Sequence, residues 1–222
     1  MIESTEIIQI DFDRMPPNVK QFIEVELNKC RQHNIKINLP KTKTITHNGL
    51  FECAGYFDQE PEEFAVACAK SYKTWLSIFV HESCHMDQWI EDIPLWHEQV
   101  NDEDPLDLMD EWLLKKRELN DEDLNRVFDI GSMIELDCEK RSVDKIKKYN
   151  LPINLNRYIQ KSNGYVWSYR LMQETRDWDH SAAYGLPEVW KSMPKHFDND
   201  YSTLPDNIRT VFYKHIEKFS KI

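Results

Sequence analysis

No stretch of the 222-residue chain approaches the roughly 18 to 20 consecutive apolar residues that a membrane-spanning helix needs. The N-terminal segment carries acidic residues early and lacks the basic start and apolar run of a secretory leader. We therefore expect a cytoplasmic protein that is neither secreted nor inserted into a membrane.

Cysteine pairs of the Cys-x-x-Cys type are also missing, which argues against a zinc knuckle built from cysteines. The cysteines are odd in number, widely separated and mostly set in apolar patterns: Cys30, Cys53, Cys68, Cys84 and Cys138. This usage is typical of reduced thiols in a cytoplasm.

Positive charge is scarce, since 28 Lys and Arg residues stand against 39 Asp and Glu, giving a formal net charge of −11. Such a balance repels a phosphate backbone, so we expect no nucleic-acid partner. No Gly-, Ser- or Pro-rich linker, repeat or low-complexity run divides the chain. Residues 1–222 are predicted to form one domain, rich in sheet over 1–70 and helical over 71–222.

The most informative segment runs from Ser71 to Ile90 and contains the motif His-Glu-x-x-His. Its apolar residues recur at helical spacing and no Gly or Pro interrupts it, which predicts a helix with Ser71 as the N-cap. His81 and His85 are four residues apart, so they lie on one face of this helix and can bind one metal ion.

Glu82 lies about 100° around the same helix from His81. A carboxylate there is poorly placed to be a third ligand but well placed to accept a proton from a water at the metal. Glu82 is therefore predicted to be the catalytic base. Cys84 points away from the ligand face and is predicted to be a packing residue.

Short β-rich segments precede this helix. Strands are predicted over Glu6–Phe12, Ile35–Leu39, Thr42–Thr46, Leu50–Phe57 and Phe64–Ala69, with one helix ending near Gln32. The predicted fold class is α+β, with a small N-terminal antiparallel sheet followed by the active-site helix and a mostly helical C-terminal part. Because the last strand leads into the helix, one sheet edge can lie along the metal site and hold an extended peptide.

A further pair of candidate ligands lies in a helix predicted over about residues 121–149. Glu135 and Glu139 are four residues apart, and their neighbours Met133, Ile134 and Cys138 predict a stretch packed on the core. An unpaired carboxylate is costly there, and a metal ion would remove that cost. By contrast, residues 97 and 98, His and Glu, follow a proline in a polar loop and are interpreted as surface residues.

With His-Glu-x-x-His on one helix and Glu-x-x-x-Glu on a later one, the chain resembles the zincin metallopeptidases of the gluzincin type, and small intracellular bacterial and phage enzymes in particular. In that family a downstream Glu is the third zinc ligand, and an acid four residues later binds the first motif histidine. The resemblance implies Glu135 as the ligand and Glu139 as the acid. Ile134 and Glu139 stand where the thermolysin type has Asn and Asp, so Glu139 remains the reserve ligand. Glu91 occupies the position of the third metzincin histidine, which excludes that branch.

The resemblance implies a zinc peptidase acting on a peptide or protein substrate. Zinc would be held by His81, His85 and Glu135, with a water in the fourth position. The family also uses a downstream side chain to stabilise the oxyanion, and the candidates here are Tyr169 first, then Tyr165, Arg170 and His180.

Two functions of other classes use parts of the same pattern. Glu82 to His85 also reads Glu-x-x-His, as in di-iron carboxylate oxidoreductases, although the second such motif that this fold requires is missing. The other alternative is a non-catalytic zinc-containing binding module, whose metal site is structural.

The spacing generates a test of the ligand assignment. Glu135→Ala should nearly abolish zinc binding because a direct bond is lost, whereas Glu139→Ala should weaken it by about 10 to 100-fold, as is typical of an acid behind a ligand. Titration against a competing chelator measures both. The reverse order would make Glu139 the ligand, and two unchanged affinities would place the third ligand elsewhere.

Overall fold

The computed structural model describes residues 6–47, 49 and 51–216. Small sheets in the N-terminal part are followed by a mostly helical chain, which confirms the predicted mixture of α and β structure. The strands are β1 Ile7–Ile8, β2 Lys36–Leu39, β3 Ile45–His47, β4 Phe51–Cys53, β5 Gly55–Gln59 and β6 Glu62–Val66. The helices are α1 Pro17–Gln32, α2 Tyr72–Ile90, α3 Pro105–Leu113, α4 Asp121–Lys148, α5 Leu155–Thr175, α6 Pro187–Trp190 and α7 Asp206–Ile216.

The sheet is mixed, so the prediction of an antiparallel sheet was wrong. Its order is β1-β2-β6-β5, and only β5 and β6 pair antiparallel, while β1 with β2 and β2 with β6 are parallel. The physical reason is α1, which connects β1 to β2 as a crossover and returns the chain to the same end of the sheet. The β-rich composition that predicted the strands carries no information on their direction.

The predicted strand Leu50–Phe57 is divided into two strands that belong to different sheets. β4 pairs with β3 in a separate hairpin, with Ile45 opposite Cys53, and β5 pairs with β6. Leu50 lies outside the described residues. The first predicted strand, Glu6–Phe12, is reduced to Ile7–Ile8.

Contacts group the chain into two compact units, Met1–Ile93 with Lys140–Ile153 and Pro94–Glu139 with Asn154–Ile222. The first unit holds the sheet, α1 and α2. At its centre the Phe79 ring packs edge-on against the rings of Phe22 and Phe64, which brings α1, α2 and β6 together. The prediction of one domain over 1–222 stays a prediction.

The second unit is built from helices. One apolar cluster joins α3, the first part of α4 and α5 through residues such as Trp112, Phe128 and Tyr169. A second cluster joins α5 to α6 and α7 through residues such as Trp167, Val189 and Phe212. The central position of α5 follows from its sequence, which is apolar on more than one face. In the described part of the chain no helix combines the length and the apolar character needed to cross a membrane.

A buried charge network fastens α1, α2 and the last part of α4 to one another within the first unit. The Lys145 ammonium lies 3.0 Å from Glu26 Oε2 and 2.8 Å from Asp87 Oδ2, and it donates to the Ser83 hydroxyl at 2.9 Å. Lys29 adds a second cation to the same two carboxylates. Burial alone would raise the pKa of Asp87, but the charge of Lys145 and hydrogen bonds from both lysines lower it below its ordinary value.

Replacing the central lysine should destabilise the protein strongly. Lys145→Met should reduce the free energy of unfolding by about 3 to 5 kcal/mol, because it leaves the carboxylates of Glu26 and Asp87 buried with less positive charge beside them. Denaturant unfolding followed by tryptophan fluorescence measures this. Lys147→Met, at an exposed position of the same helix, is the control and should change stability by less than about 0.5 kcal/mol. Equal effects in both variants would contradict the role of the network.

Candidate metal centre

Helix α2 presents both motif histidines on one face, as its sequence predicts. Ser71 occupies the N-cap position, where its carbonyl accepts the amide of Thr74, but its side chain makes no capping hydrogen bond. The helix is held instead by burial of its apolar residues, among them Leu76, Phe79 and Val80, which are fully buried. Cys84 is fully buried and accepts a hydrogen bond from Ser142 Oγ at 3.4 Å, in agreement with its predicted packing role.

The two imidazoles face each other through their Nε2 atoms, which are 3.2 Å apart. Two nitrogens bound to one tetrahedral zinc ion at about 2.0–2.1 Å would be separated by about 3.3 Å. On its other side, the Nδ1–H of His85 donates to Oε1 of the buried Gln88 at 2.8 Å. This hydrogen bond fixes the tautomer, so the Nε2 lone pair of His85 points toward His81.

Two residues of α4 complete a group of four ligand atoms. His81, His85, Glu135 and Cys138 each offer one such atom, and all four atoms lie within 4.8 Å of one another. This group could hold a metal ion. The structure therefore brings together the three predicted ligands and adds a cysteine that sequence reasoning assigned to packing. Glu139, the reserve ligand, does not belong to the group.

Two tyrosines of α5 donate hydrogen bonds to the Glu135 carboxylate. The hydroxyls of Tyr165 and Tyr169 lie 3.0 and 3.2 Å from the same oxygen, Oε1. Burial, and next the negative charge of Glu135, raise the pKa of both hydroxyls well above the ordinary value, so both remain protonated donors at neutral pH. These two hydrogen bonds orient the Glu135 carboxylate.

A glycine on α4 makes room for this contact. A Cβ atom at Gly131 would lie 3.1 Å from Cε1 of Tyr169, which is tighter than ordinary side-chain packing. Gly131 is four residues before Glu135, so the tyrosine ring crosses α4 one turn away from the carboxylate that its hydroxyl reaches. The spacing Gly131 to Glu135 is the sequence signal that could have indicated a close neighbour here.

The Glu139 carboxylate is buried and accepts a hydrogen bond from Ser162 Oγ at 2.6 Å. Its predicted hydrogen bond to the first motif histidine stays a prediction. One of the neighbours used to predict a core position is corrected: Met133 is 50% exposed, whereas Ile134 and Cys138 are buried. Met133 lies about 100° and 140° around α4 from these two residues, which places it off their buried face.

Glu82, the predicted base, is buried beneath the start of β5. A Cβ atom at Gly55 would lie only 2.6 Å from Cγ2 of Ile78 and 3.2 Å from Cγ of Glu82, so the backbone of β5 passes directly over this turn of α2. Burial, followed by the negative charge of Glu82, raises the pKa of the Cys53 thiol. Gly55 and Cys53 were not predicted to lie near the site.

The remaining candidates have other contacts. Arg170 is buried in the second unit, where it donates to the Tyr201 carbonyl at 2.8 Å and pairs with Asp129. His180 lies 3.6 Å from Asp177. Glu98 pairs with Arg126, in agreement with the predicted place of Glu98 at the surface.

Tyr169 contacts Glu135, the predicted ligand. The oxyanion role of Tyr169 stays a prediction.

Comparison with protein-family models, curated proteins and solved structures finds no match for this chain. The residues and their geometry therefore carry the functional argument by themselves.

The tyrosine contacts predict a measurable effect on the metal site. Tyr165→Phe and Tyr169→Phe should each weaken metal affinity by about tenfold, and the double variant by up to about 100-fold, because Glu135 loses the donors that orient it. Competition with a chelator measures the affinity. Tyr213→Phe is a matched control, since Tyr213 donates to Glu174 at 3.2 Å on an exposed surface. Unchanged affinity in the double variant would show that other contacts hold Glu135.

Proposed function

We propose that this protein is a zinc-dependent hydrolase that cleaves peptide bonds, with the gluzincin arrangement of the zincin metallopeptidases. The observation that carries the proposal is the group formed by His81, His85, Glu135 and Cys138, in which the two imidazole nitrogens face each other at 3.2 Å. In a reducing compartment such as the cytoplasm, the five cysteines would remain the reduced thiols that the structure contains.

The donor set fits zinc better than the other common metals. Imidazole nitrogen, thiolate sulfur and one carboxylate oxygen suit zinc, whereas magnesium and calcium prefer oxygen donors throughout. A di-iron site requires several bridging carboxylates, and this group contains one. With His81, His85 and Glu135 as its protein ligands, bound zinc would lower the pKa of a water in the fourth position to about 7 and polarise a carbonyl oxygen.

Glu82 has the position required of a base. It follows His81 directly, so it lies beside the ligand face of α2 without belonging to the ligand group. Its burial beneath Gly55 limits the motion of the carboxylate and excludes bulk water from one side. In the proposed reaction Glu82 accepts a proton from the attacking water and passes it to the leaving amine.

Strand β5 supplies a place for an extended peptide. It is the last strand in the order β1-β2-β6-β5, so one edge of its backbone faces away from β6. Because the strand begins at Gly55, directly above Ile78 and Glu82, a peptide added along this edge would pass beside the base. The carboxylate ligand Glu135 would be held in place by Tyr165 and Tyr169, which in this proposal act through Glu135.

The second candidate is a binding module with a structural zinc ion, and Cys138 is the observation that favours it. Structural zinc sites have four protein ligands, whereas catalytic sites keep one position for water. Purified protein tests the two. One zinc per chain with cleavage of unfolded casein or of a fluorogenic peptide library supports the hydrolase. One zinc with no cleavage supports the binding module, and two irons per chain would contradict both.

The role of Glu82 predicts a separation of binding from catalysis. Glu82→Gln should keep near-normal zinc content and lose hydrolytic activity by about 100-fold or more, because the amide cannot accept the proton. Zinc content and cleavage rate are measured on the same preparation. Glu91→Gln, at an exposed carboxylate that pairs with Arg141, is the control and should retain both. Loss of zinc from Glu82→Gln would show that Glu82 is a ligand.

A further inference from the structure

Cys138 has the position of a ligand and has no role in the proposed reaction. It is fully buried on α4. It follows Glu135 by three residues, which places the two side chains about 60° apart on the same face of the helix. Its sulfur belongs to the group whose ligand atoms all lie within 4.8 Å, together with the facing imidazoles of His81 and His85.

The three other buried thiols make hydrogen bonds with residues outside that group. Cys30 donates to the Met86 sulfur at 3.3 Å, Cys68 to the Val66 carbonyl at 3.2 Å, and Cys84 accepts from Ser142. All five cysteines lie in the described ranges, and Cys138 is the one that joins the ligand group.

A thiolate at this position would change what the site can do. A tetrahedral ion bound by two imidazoles, one carboxylate and one thiolate has four protein ligands and no place for water. Thiolate is also the softest of these donors and is a preferred zinc ligand. On binding, the S–H bond breaks, the sulfur–metal bond forms and the proton passes to solvent.

We propose that Cys138 is a fourth metal ligand that closes the site at rest, so that hydrolysis requires its sulfur to yield the fourth position to water or to a substrate oxygen. The inference rests on the proposed function and adds its regulation. The same four residues then account for both functional candidates, since the closed site is structural and the open site is catalytic.

Cobalt substitution tests the ligand directly, because a thiolate bound to Co²⁺ gives an intense near-ultraviolet charge-transfer absorption that imidazole and carboxylate do not give. The full-length protein loaded with Co²⁺ should show this band. Cys138→Ser and Cys138→Ala should lose it while still binding cobalt, and the second variant guards against a hydroxyl replacing the sulfur. Cys84→Ala, another fully buried cysteine on a ligand-bearing helix, should keep the band.

Activity provides the second measurement. With zinc bound, Cys138→Ala should cleave casein or the peptide library about tenfold faster than the natural chain, and it should bind zinc at least about tenfold more weakly. Cobalt binding without the thiolate band, or an unchanged rate and affinity in Cys138→Ala, would overturn the inference and leave the hydrolase intact. A thiolate band without cleavage by any variant would instead overturn the hydrolase and leave Cys138 as a ligand.

Discussion

The position of α4 against α2 depends on one buried cation. Lys145 lies between carboxylates from α1 and α2 and also donates to the carbonyl and the hydroxyl of Ser83, which is two residues after His81. Ions buried at this depth tolerate little displacement, because each loses several kcal/mol of solvation that only close partners can replace. Glu135 and Cys138 lie on the same unbroken helix as this cation.

What could be predicted from the sequence was local. The helical spacing around His81 and His85 is a property of about one turn, and both residues are placed as expected. The pairing of β1 with β2 depends on where α1 delivers the chain, which alternation of apolar residues does not encode. Cys138 was missed because a buried cysteine on an apolar face is usually a packing residue, and only its distance from the imidazoles distinguishes it. Tyr165 and Tyr169 were weighed for a different role, since their common target is visible only when α5 lies beside α4.

Three of the candidate ligands are held by contacts, and in our proposal the fourth can be replaced by water. Gln88 orients the imidazole of His85, and the hydroxyls of Tyr165 and Tyr169 orient the Glu135 carboxylate. The imidazole of His81 faces that of His85 at 3.2 Å. In our proposal the fourth position is the chemically variable one, because the Cys138 sulfur and water would compete for it. In that proposal, a closed resting state would protect the buried Glu82 from unproductive proton transfer. The stability of the closed state would then decide the rate of hydrolysis.

The chain enters the second unit after Ile93, returns to the first within α4 at Lys140 and leaves it again after Ile153. Neither unit is therefore a continuous piece of the polypeptide. A gene truncated after Ile93 would encode the first unit without residues 140–153, and one truncated after residue 139 would encode the second unit without residues 154–222. Ribosomal synthesis also completes the first unit only when residue 153 has emerged, after the whole of α4. Helix α4 is thus the segment that the two units share, since it passes from the second unit into the first at Lys140.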